Sequence, residues 1–505
     1  MTDSPAPDER RIQFPDHEAT AAGLIREAAN RWGDRILVVL DDQRVAYQEV
    51  ERRSAEMARS LLASGVVRGS RLGLLAPNSP DWVVAWLAAT RIGAVTTLLS
   101  TYARPRELGW ALGHSGVEVL LTANGYLGRH YPVELETAIP GLVGQRHGEI
   151  EVASHPDLTA VYVWNGTDRG WASTVEDLVA DASGTTDTEL AVAEAAVGPD
   201  DPMVIMYTSG STAEPKGVIH GHGAVVRHPY NLLPFRDLVP GDVLYTPMPL
   251  FWVGGLTYTL VSAMHAGATV VFEERFEAGA TLDLIEAERV THVVGWPHMS
   301  RALTEHPSFP DRDLSAVRGG SLDALLPPHL RVGDPELRAN SLGMTESLGP
   351  HSIELIGSAL PENKRGSFGR AVPGIEHRIV EPSTGEEAPE VSGLRDRLLT
   401  MVKDGLDQGM NGDLPSALPG MMLQSPVAPP DTVLSGMTAK NGMDILKKLD
   451  TAHRLADFVA STLLRNPLER QVVLESLDIK TRLVNVSHFL SMEIERNNMG
   501  PEGYS

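Results

Sequence analysis

The 505-residue chain predicts an α/β fold: a large N-terminal core of helix-covered mixed or parallel sheets, followed by an all-α C-terminal region. Three observations carry that expectation. Strand-like and helix-like patterns alternate from residue 21 to about 200 and resume after 241, the order that builds parallel sheets with helices on their faces. A hydroxyl- and glycine-rich string at 207–217 directly follows the apolar run Val204, Ile205, Met206. Beyond residue 394 no strand pattern recurs and helical spacing takes over.

After a polar lead-in over 1–20, apolar spacing predicts a helix over 21–32, a strand over 35–40 and an amphipathic helix over 47–64. Next come a strand at 71–76, a helix at 81–92, a strand at 94–99, a helix at 105–115 and a strand at 117–122. Past the hydroxyl-rich string, a strand at 241–248 precedes a glycine turn, a helix at 255–266 and a strand at 269–272. Residues 281–289 read as helix, 290–295 as strand and 375–380 as a last strand before a turn at 382–385. The texture then changes, which places a domain boundary near 390 and divides the chain into 1–390 and 391–505. Helices are expected at 394–406, 442–449, 452–464, 468–477 and 480–495, with a Pro/Gly/Met-rich connector at 411–437. Asn466-Pro467 ends one helix and starts the next, and Asp478 can cap the last.

Hydrophobic residues make up 42% of the chain, enough for real cores, but aromatics are only 5%, so Leu, Val, Ala and Ile must do most of the packing. A net charge of −23 excludes a general nucleic-acid binder. It leaves room for a locally positive nucleotide loop. Zero cysteines exclude disulfides, a thiolate nucleophile and cysteine-ligated zinc or iron–sulfur sites. The polar start MTDSPAPDERRIQF lacks a secretory pattern, and no run of about 18 apolar residues suggests a membrane span. A cytoplasmic protein is therefore expected.

The string 207–217 places Thr208, Ser209, Gly210, Ser211, Thr212, Lys216 and Gly217 together. Hydroxyls and backbone N–H groups can face phosphate oxygens, glycine allows close approach, and Lys216 supplies a point charge. It is not a Walker A loop, because the G-x-x-x-x-G-K-[ST] order is absent. His220, His222 and His228 follow closely, but without accompanying carboxylates they read as solvated or capping groups. Glu273-Glu274 reads as part of a solvated face.

Three further segments belong with the loop: Pro249 to Leu256 (PLFWVGGL), Ser341 to Ser347 (SLGMTES), and Arg365 to Gly374 (RGSFGRAVPG). In this order, and with 76–95 and 100–122 upstream, they resemble the adenylate-forming superfamily of acyl-CoA synthetases, luciferases and peptide-synthetase adenylation domains. The resemblance covers roughly residues 20–388. It implies an AMP-forming carboxylate ligase that takes ATP, Mg²⁺ and a small carboxylic acid, with CoA as co-substrate. By the same resemblance the hydroxyl-rich loop with Lys216 holds the phosphates, Thr345 binds the α-phosphate and Glu346 helps hold Mg²⁺, so Lys216, Thr345 and Glu346 form the catalytic set. Gly319, Gly320 and Ser321 resemble the adenine-pocket segment, together with Leu342, Gly343 and Met344. Trp252, Val253, Gly254 and Trp296 would border the acid. Leu342 stands where the family usually has an aromatic, Ala213 where glycine is common, and Trp252 where many members have histidine.

Downstream of Thr384-Gly385-Glu386-Glu387 the family's ribose-gripping Thr-Gly-Asp, hinge and α/β lid with its lysine are not recognised; Gly412-Asp413-Leu414 is a three-residue echo. Residues 449–495, through Leu455-Ala456-Asp457 and Leu474 to Leu483, instead resemble the helical part of the Lon protease N-terminal substrate-binding domain. That resemblance implies a polypeptide partner for this region. The expectation is a fusion near 390, with weak adenylation and little or no thioester formation unless a separate lid acts in trans; the alternative is a non-catalytic binding protein with a nucleotide-binding scaffold and a polypeptide-recognising helical region.

Overall fold

The computed structural model describes residues 13–180, 184–208 and 215–377, and in the C-terminal part 397, 398, 400, 401, 456, 459, 473 and 479–498. The chain divides into two compact units, Met1–His377 and Arg378–Ser505.

Two large sheets organise the first unit. In chain order the strands begin with β1 (Ile36–Leu40), β2 (Gln43–Ala46), β3 (Arg71–Leu75), β4 (Val95–Leu98) and β5 (Val119–Thr122). A small hairpin, β6 (Gly125–Tyr126) and β7 (Arg129–His130), precedes β8 (Ala160–Val163), β9 (Ser173–Thr174), β10 (Pro202–Thr208) and β11 (Lys216–Gly221). Then come β12 (Val243–Tyr245), β13 (Thr269–Phe272), β14 (His292–Val293) and β15 (Gly319–Gly320). One sheet has the order β11-β10-β4-β3-β5-β8-β9 and the other β15-β14-β12-β13-β1-β2. Their strands are parallel except at β10–β11 and β1–β2. Every residue of β4 and β5 is buried, as expected of strands covered on both faces. A third, antiparallel sheet joins β16 (Ser341–Met344), β17 (Gly349–Ile353) and β18 (Arg370–Ala371).

The covering helices start where the sequence supplies caps. Thr20 accepts from Gly23 N at the start of α1 (Ala21–Trp32). Following α2 (Tyr47–Ala63), Ser79 accepts from Trp82 N and Pro80 fills the first position of α3 (Pro80–Arg91). All of α3 except Asp81 is buried, so it is a core helix with no solvent face. Pro105 opens α4 (Pro105–His114), and Glu107 accepts from Arg104 N. Further on lie α5 (Tyr131–Ala138), α6 (Val175–Ala180), α7 (Asp187–Ala195) and α8 (His222–Arg236).

At the centre of this packing Arg91, 1% exposed, donates to Glu194, to Ser54 Oγ (2.8 Å), to the Glu51 carbonyl (3.1 Å) and to the Glu51 carboxylate (3.0 Å). Arg26 also pairs with Glu194. One guanidinium thus ties α2, α3 and α7 together.

Several expected elements take another form. The helix α8 was not expected, because Gly223, Pro229 and Pro234 interrupt its pattern; burial of Val225, Val226, Leu232 and Phe235 holds it in place. The single helix expected at 255–266 is a short turn at Val253–Gly255, a π-helix at Leu256–Val261 and an α-helix at Ser262–Ala266. Hydroxyls of Thr257 and Thr259 bond to the Val253 and Gly254 carbonyls, local competition that disturbs regular helical bonding. Residues 375–377 form no strand, and the rest of that expected element lies outside the described residues.

In the second unit a helix spans Ile479–Asn498, and 397, 398, 400, 401, 456, 459 and 473 are helical. The expected connector at 411–437, the helix at 442–449 and the Asp478 cap lie outside the described residues. Among the described residues no helix is long and apolar enough to cross a membrane.

Candidate functional site

The described ends of the hydroxyl-rich string lie on the antiparallel strands β10 and β11, with Thr208 opposite Lys216 and Tyr207 opposite Gly217. Ser209, Gly210, Ser211 and Thr212 lie outside the described residues. The stem is anchored through Tyr207, whose hydroxyl bonds to the Ala111 carbonyl (3.2 Å) and His114 Nδ1 (2.9 Å). A Cβ on Gly217 would sit 3.2 Å from Ile205 Cγ2 and 3.3 Å from Tyr207 Cε1, so the stem is closely packed there. The Lys216 side chain is exposed, and among the described residues it makes no ion pair.

Thr345 and Glu346 sit on the one-turn 3₁₀ helix Thr345–Ser347 between β16 and β17. Leu348 closes that turn at φ 59°, a left-handed conformation unusual for leucine. Gly343 is required just before it, because a Cβ would fall 2.3 Å from the Gly349 backbone. Leu342 and Met344 are exposed, and Glu346 is exposed beside them.

The two pieces meet. His220 Nε2, two turns of the pleat along β11 from Lys216, donates to the Thr345 carbonyl (2.8 Å). Thr257 Oγ1, on the π-helix, donates to the Leu348 carbonyl (2.9 Å). Trp252 and Trp296 face each other edge-on with ring centroids 6.1 Å apart, and Trp252 is 40% exposed. Val253 and Gly254 are half-buried, Gly254 packing so tightly that a Cβ would lie 2.5 Å from Met248 Sδ. Asn78, given no role in the sequence reading, accepts from Leu250 N (2.7 Å) and donates to the Met248 carbonyl (2.9 Å), fixing the start of this segment. Its place in the APNSPDW stretch was the available signal.

Gly319 and Gly320 form β15 at the edge of the second sheet. Ser321 Oγ accepts from Gly295 N (2.9 Å) and donates to the Gly295 carbonyl (2.8 Å), so it is engaged next to Trp296. Gly320 has φ 112°, and a Cβ there would lie 2.1 Å from the Val293 carbonyl oxygen. Gly320→Ala is expected to open the β14–β15 edge and lower stability by about 2–4 kcal/mol. A urea midpoint equal to that of the parent would refute this.

The histidines correct the solvated half of the sequence reading, while His222 does cap a helix. His220, His222 and His228 are buried, at 9%, 0% and 8% exposure. His222 Nδ1 accepts from Ala21 N (3.2 Å) at the start of α1, and His228 bonds to the Pro350 backbone. His222 and His228 are interior because α8, invisible to the pattern, carries them inward, and His220, on β11, packs against the Thr345 turn. Burial lowers His222 and His228 from the ordinary 6.5 to about 4. Below pH 6.5 the unfolded chain binds these protons while the folded chain refuses them until about 4. Stability therefore falls through that window as pH drops, by up to ~1.4 kcal/mol per pH unit for each imidazole. Urea titrations at several pH values should show it. An unchanged slope in the double variant His222→Asn, His228→Asn would assign the acid loss elsewhere.

Glu273 is likewise not part of a solvated face. It accepts from Tyr245 and from Thr281 (2.7 Å), and burial raises its carboxyl pKa. With Asn78, Tyr102 and Tyr126 it lines a cavity of about 30 Å³, the size of a single water.

Among the described residues no group of three or more His, Asp or Glu side chains could hold a metal ion. The turn offers one exposed carboxylate, Glu346. That donor set fits Mg²⁺, which keeps most of its waters and takes one or two carboxylates plus substrate phosphates.

The family model described as AMP-binding enzyme matches residues 25–393. YngI of Bacillus subtilis, named as an acyl-CoA synthetase, is 27% identical over 395 residues, covering 76% of this chain and 70% of that protein. The 4-coumarate–CoA ligase 2 of Oryza sativa subsp. japonica is 32% identical over 346 residues, 65% of this chain and 57% of its own length. Among solved structures, the Mycobacterium tuberculosis fatty acyl CoA synthetase superposes with a TM-score of 0.56 at 25% identity, over 70% of this chain and 65% of that one. The matched stretch thus spans 57% to 70% of these curated relatives. With a family match running through β10 and β11, the turn and both sheets, the chain belongs to the AMP-binding enzymes.

Proposed function

We propose that the chain activates a carboxylic acid with ATP, forming an acyl-adenylate and pyrophosphate, with CoA as acceptor in a second half-reaction. The observation that supports this best is the bond from His220 to the Thr345 carbonyl, which places the Lys216 strand against the Thr345–Glu346 turn. In the first half-reaction a carboxylate oxygen bonds to the α-phosphorus as the bond from that phosphorus to the bridging oxygen breaks. The electron pair leaves with pyrophosphate. Two anions must meet, so their repulsion has to be offset by fixed donors and positive charge. Thr208, Ser209, Gly210, Ser211, Thr212, Lys216 and Gly217 would cradle the β- and γ-phosphates, and Thr345 would donate to the α-phosphate. Glu346 would hold Mg²⁺, which when bound neutralises phosphate charge. Gly319, Gly320, Ser321, Leu342, Gly343 and Met344 would line the nucleoside, with Leu342 giving apolar cover and no stacking.

The edge-on pair Trp252 and Trp296 suits an aromatic or long apolar acid. Acid-dependent exchange of labelled pyrophosphate into ATP, with 4-coumarate and octanoate as probes, tests the reading. Absence of exchange with any acid in a wider panel would overturn it. Acyl-CoA yield in the same samples tests the expectation that thioester formation is the weaker half-reaction; yields matching the exchange rate would refute that. The Lon-like reading of 391–505, with a polypeptide partner, rests on the sequence resemblance alone.

A further inference from the structure

The turn carrying Thr345 and Glu346 is a single 3₁₀ turn closed by a leucine in the left-handed region. Such a residue costs roughly 1–2 kcal/mol, so the surrounding structure must hold the turn in shape. Two side chains from outside the turn do so. His220 Nε2 donates to the Thr345 carbonyl, which also accepts from Leu348 N (3.0 Å). Thr257 Oγ1 donates to the Leu348 carbonyl and shares its lone hydroxyl proton with the Val253 carbonyl (2.8 Å). Both are buried, at 9% and 0% exposure.

Their origins matter as much as their bonds. His220 shares β11 with Lys216, and alternation along the strand puts 216, 218 and 220 on one face. Thr257 lies five residues after Trp252, and the π-helix at Leu256–Val261 contains it. A π-helical turn rotates the side chains that follow relative to a regular helix, and such turns concentrate at functional sites. The turn is therefore gripped at one end by the phosphate-loop strand and at the other by the acid-side segment.

We propose that His220 and Thr257 are positioning residues that clamp the two ends of the Thr345–Glu346 turn, so that the nucleotide-facing and acid-facing segments set its place together. This rests on the proposed adenylation reading for its catalytic consequence, and on geometry alone for the clamp. The neutral donor, not the charge, does the holding, so an amide can substitute for the imidazole. Likewise a serine can replace Thr257, but valine cannot.

The test compares the full-length parent with His220→Leu, His220→Gln, Thr257→Val and Thr257→Ser. Hydrogen–deuterium exchange over 341–349 should be at least about tenfold faster in the leucine and valine variants and return towards the parent in glutamine and serine. Pyrophosphate exchange should fall about 10- to 100-fold in kcat in the first pair, with KM for the acid within about threefold, and recover in the second. Unchanged amide exchange in both His220→Leu and Thr257→Val would overturn the clamp. If His220→Leu fails to fold, Thr257→Val carries the comparison, since it removes only a hydroxyl. A parent with no pyrophosphate exchange would sink the adenylation reading, while the amide exchange would still decide the clamp.

Discussion

Glu346→Gln is expected to lower Mg²⁺-dependent pyrophosphate exchange by at least about 100-fold, equivalent to ~2.7 kcal/mol of lost transition-state stabilisation. The substitution keeps shape and removes charge. Because Glu346 is exposed, no buried partner is left unpaired and the urea midpoint should stay within error of the parent. The loss should appear in kcat more than in KM for the acid. Nucleotide affinity, compared with and without Mg²⁺, should also lose most of its metal dependence. Exchange within about threefold of the parent would show that the metal is held by phosphates and water alone, and Glu346 would leave the catalytic set.

The second large effect concerns folding. Arg91→Met should destabilise the first unit by about 3–5 kcal/mol, because Glu194, 4% exposed, loses its main partner inside the protein. Arg26 can compensate only in part: its side chain is 48% exposed and reaches Glu194 from the rim. Loss of the bonds to Ser54 and Glu51 also unties α2 from α3. The double variant Arg91→Met, Glu194→Leu removes both charges and should recover most of the loss. Urea midpoints of parent, single and double variants decide this. A double variant less stable than the single would mean that the network holds α2, α3 and α7 by specific bonding that apolar packing cannot replace.

The regular parts of the fold were legible because apolar spacing reports which face is covered. Helix α1 and strand β13 fall at the expected residues, and α2, α3 and α4 within one residue at each end. Prolines and glycine hid α8, whose stability comes from Val225, Val226, Leu232 and Phe235 against the core. The π-helix was hidden for a different reason: it depends on where the Thr257 and Thr259 hydroxyls find carbonyls. The short strand β2 was likewise not expected, since only Val45 of its four residues is buried.

The candidate site divides along the same line. Local chemistry marks residues 207–217 and 341–347 as a phosphate-facing loop and a hydroxyl–carboxylate turn, since hydroxyls, glycines, a lysine and a glutamate declare themselves without neighbours. Residue order alone marks both segments and predicts the alternating sheet that carries the first, but not the antiparallel sheet of β16, β17 and β18 that carries the second. Which residues hold the turn was decided only by the tertiary fold. His220 is 125 positions from Thr345, and Thr257 is 91 from Leu348. His220 read as solvated or capping because its burial comes from α8 and the Thr345–Ser347 turn packing on β11, and no local pattern encodes that. Hydrogen bonds between distant segments depend on register and packing distance, which a chain acquires only when its sheets assemble.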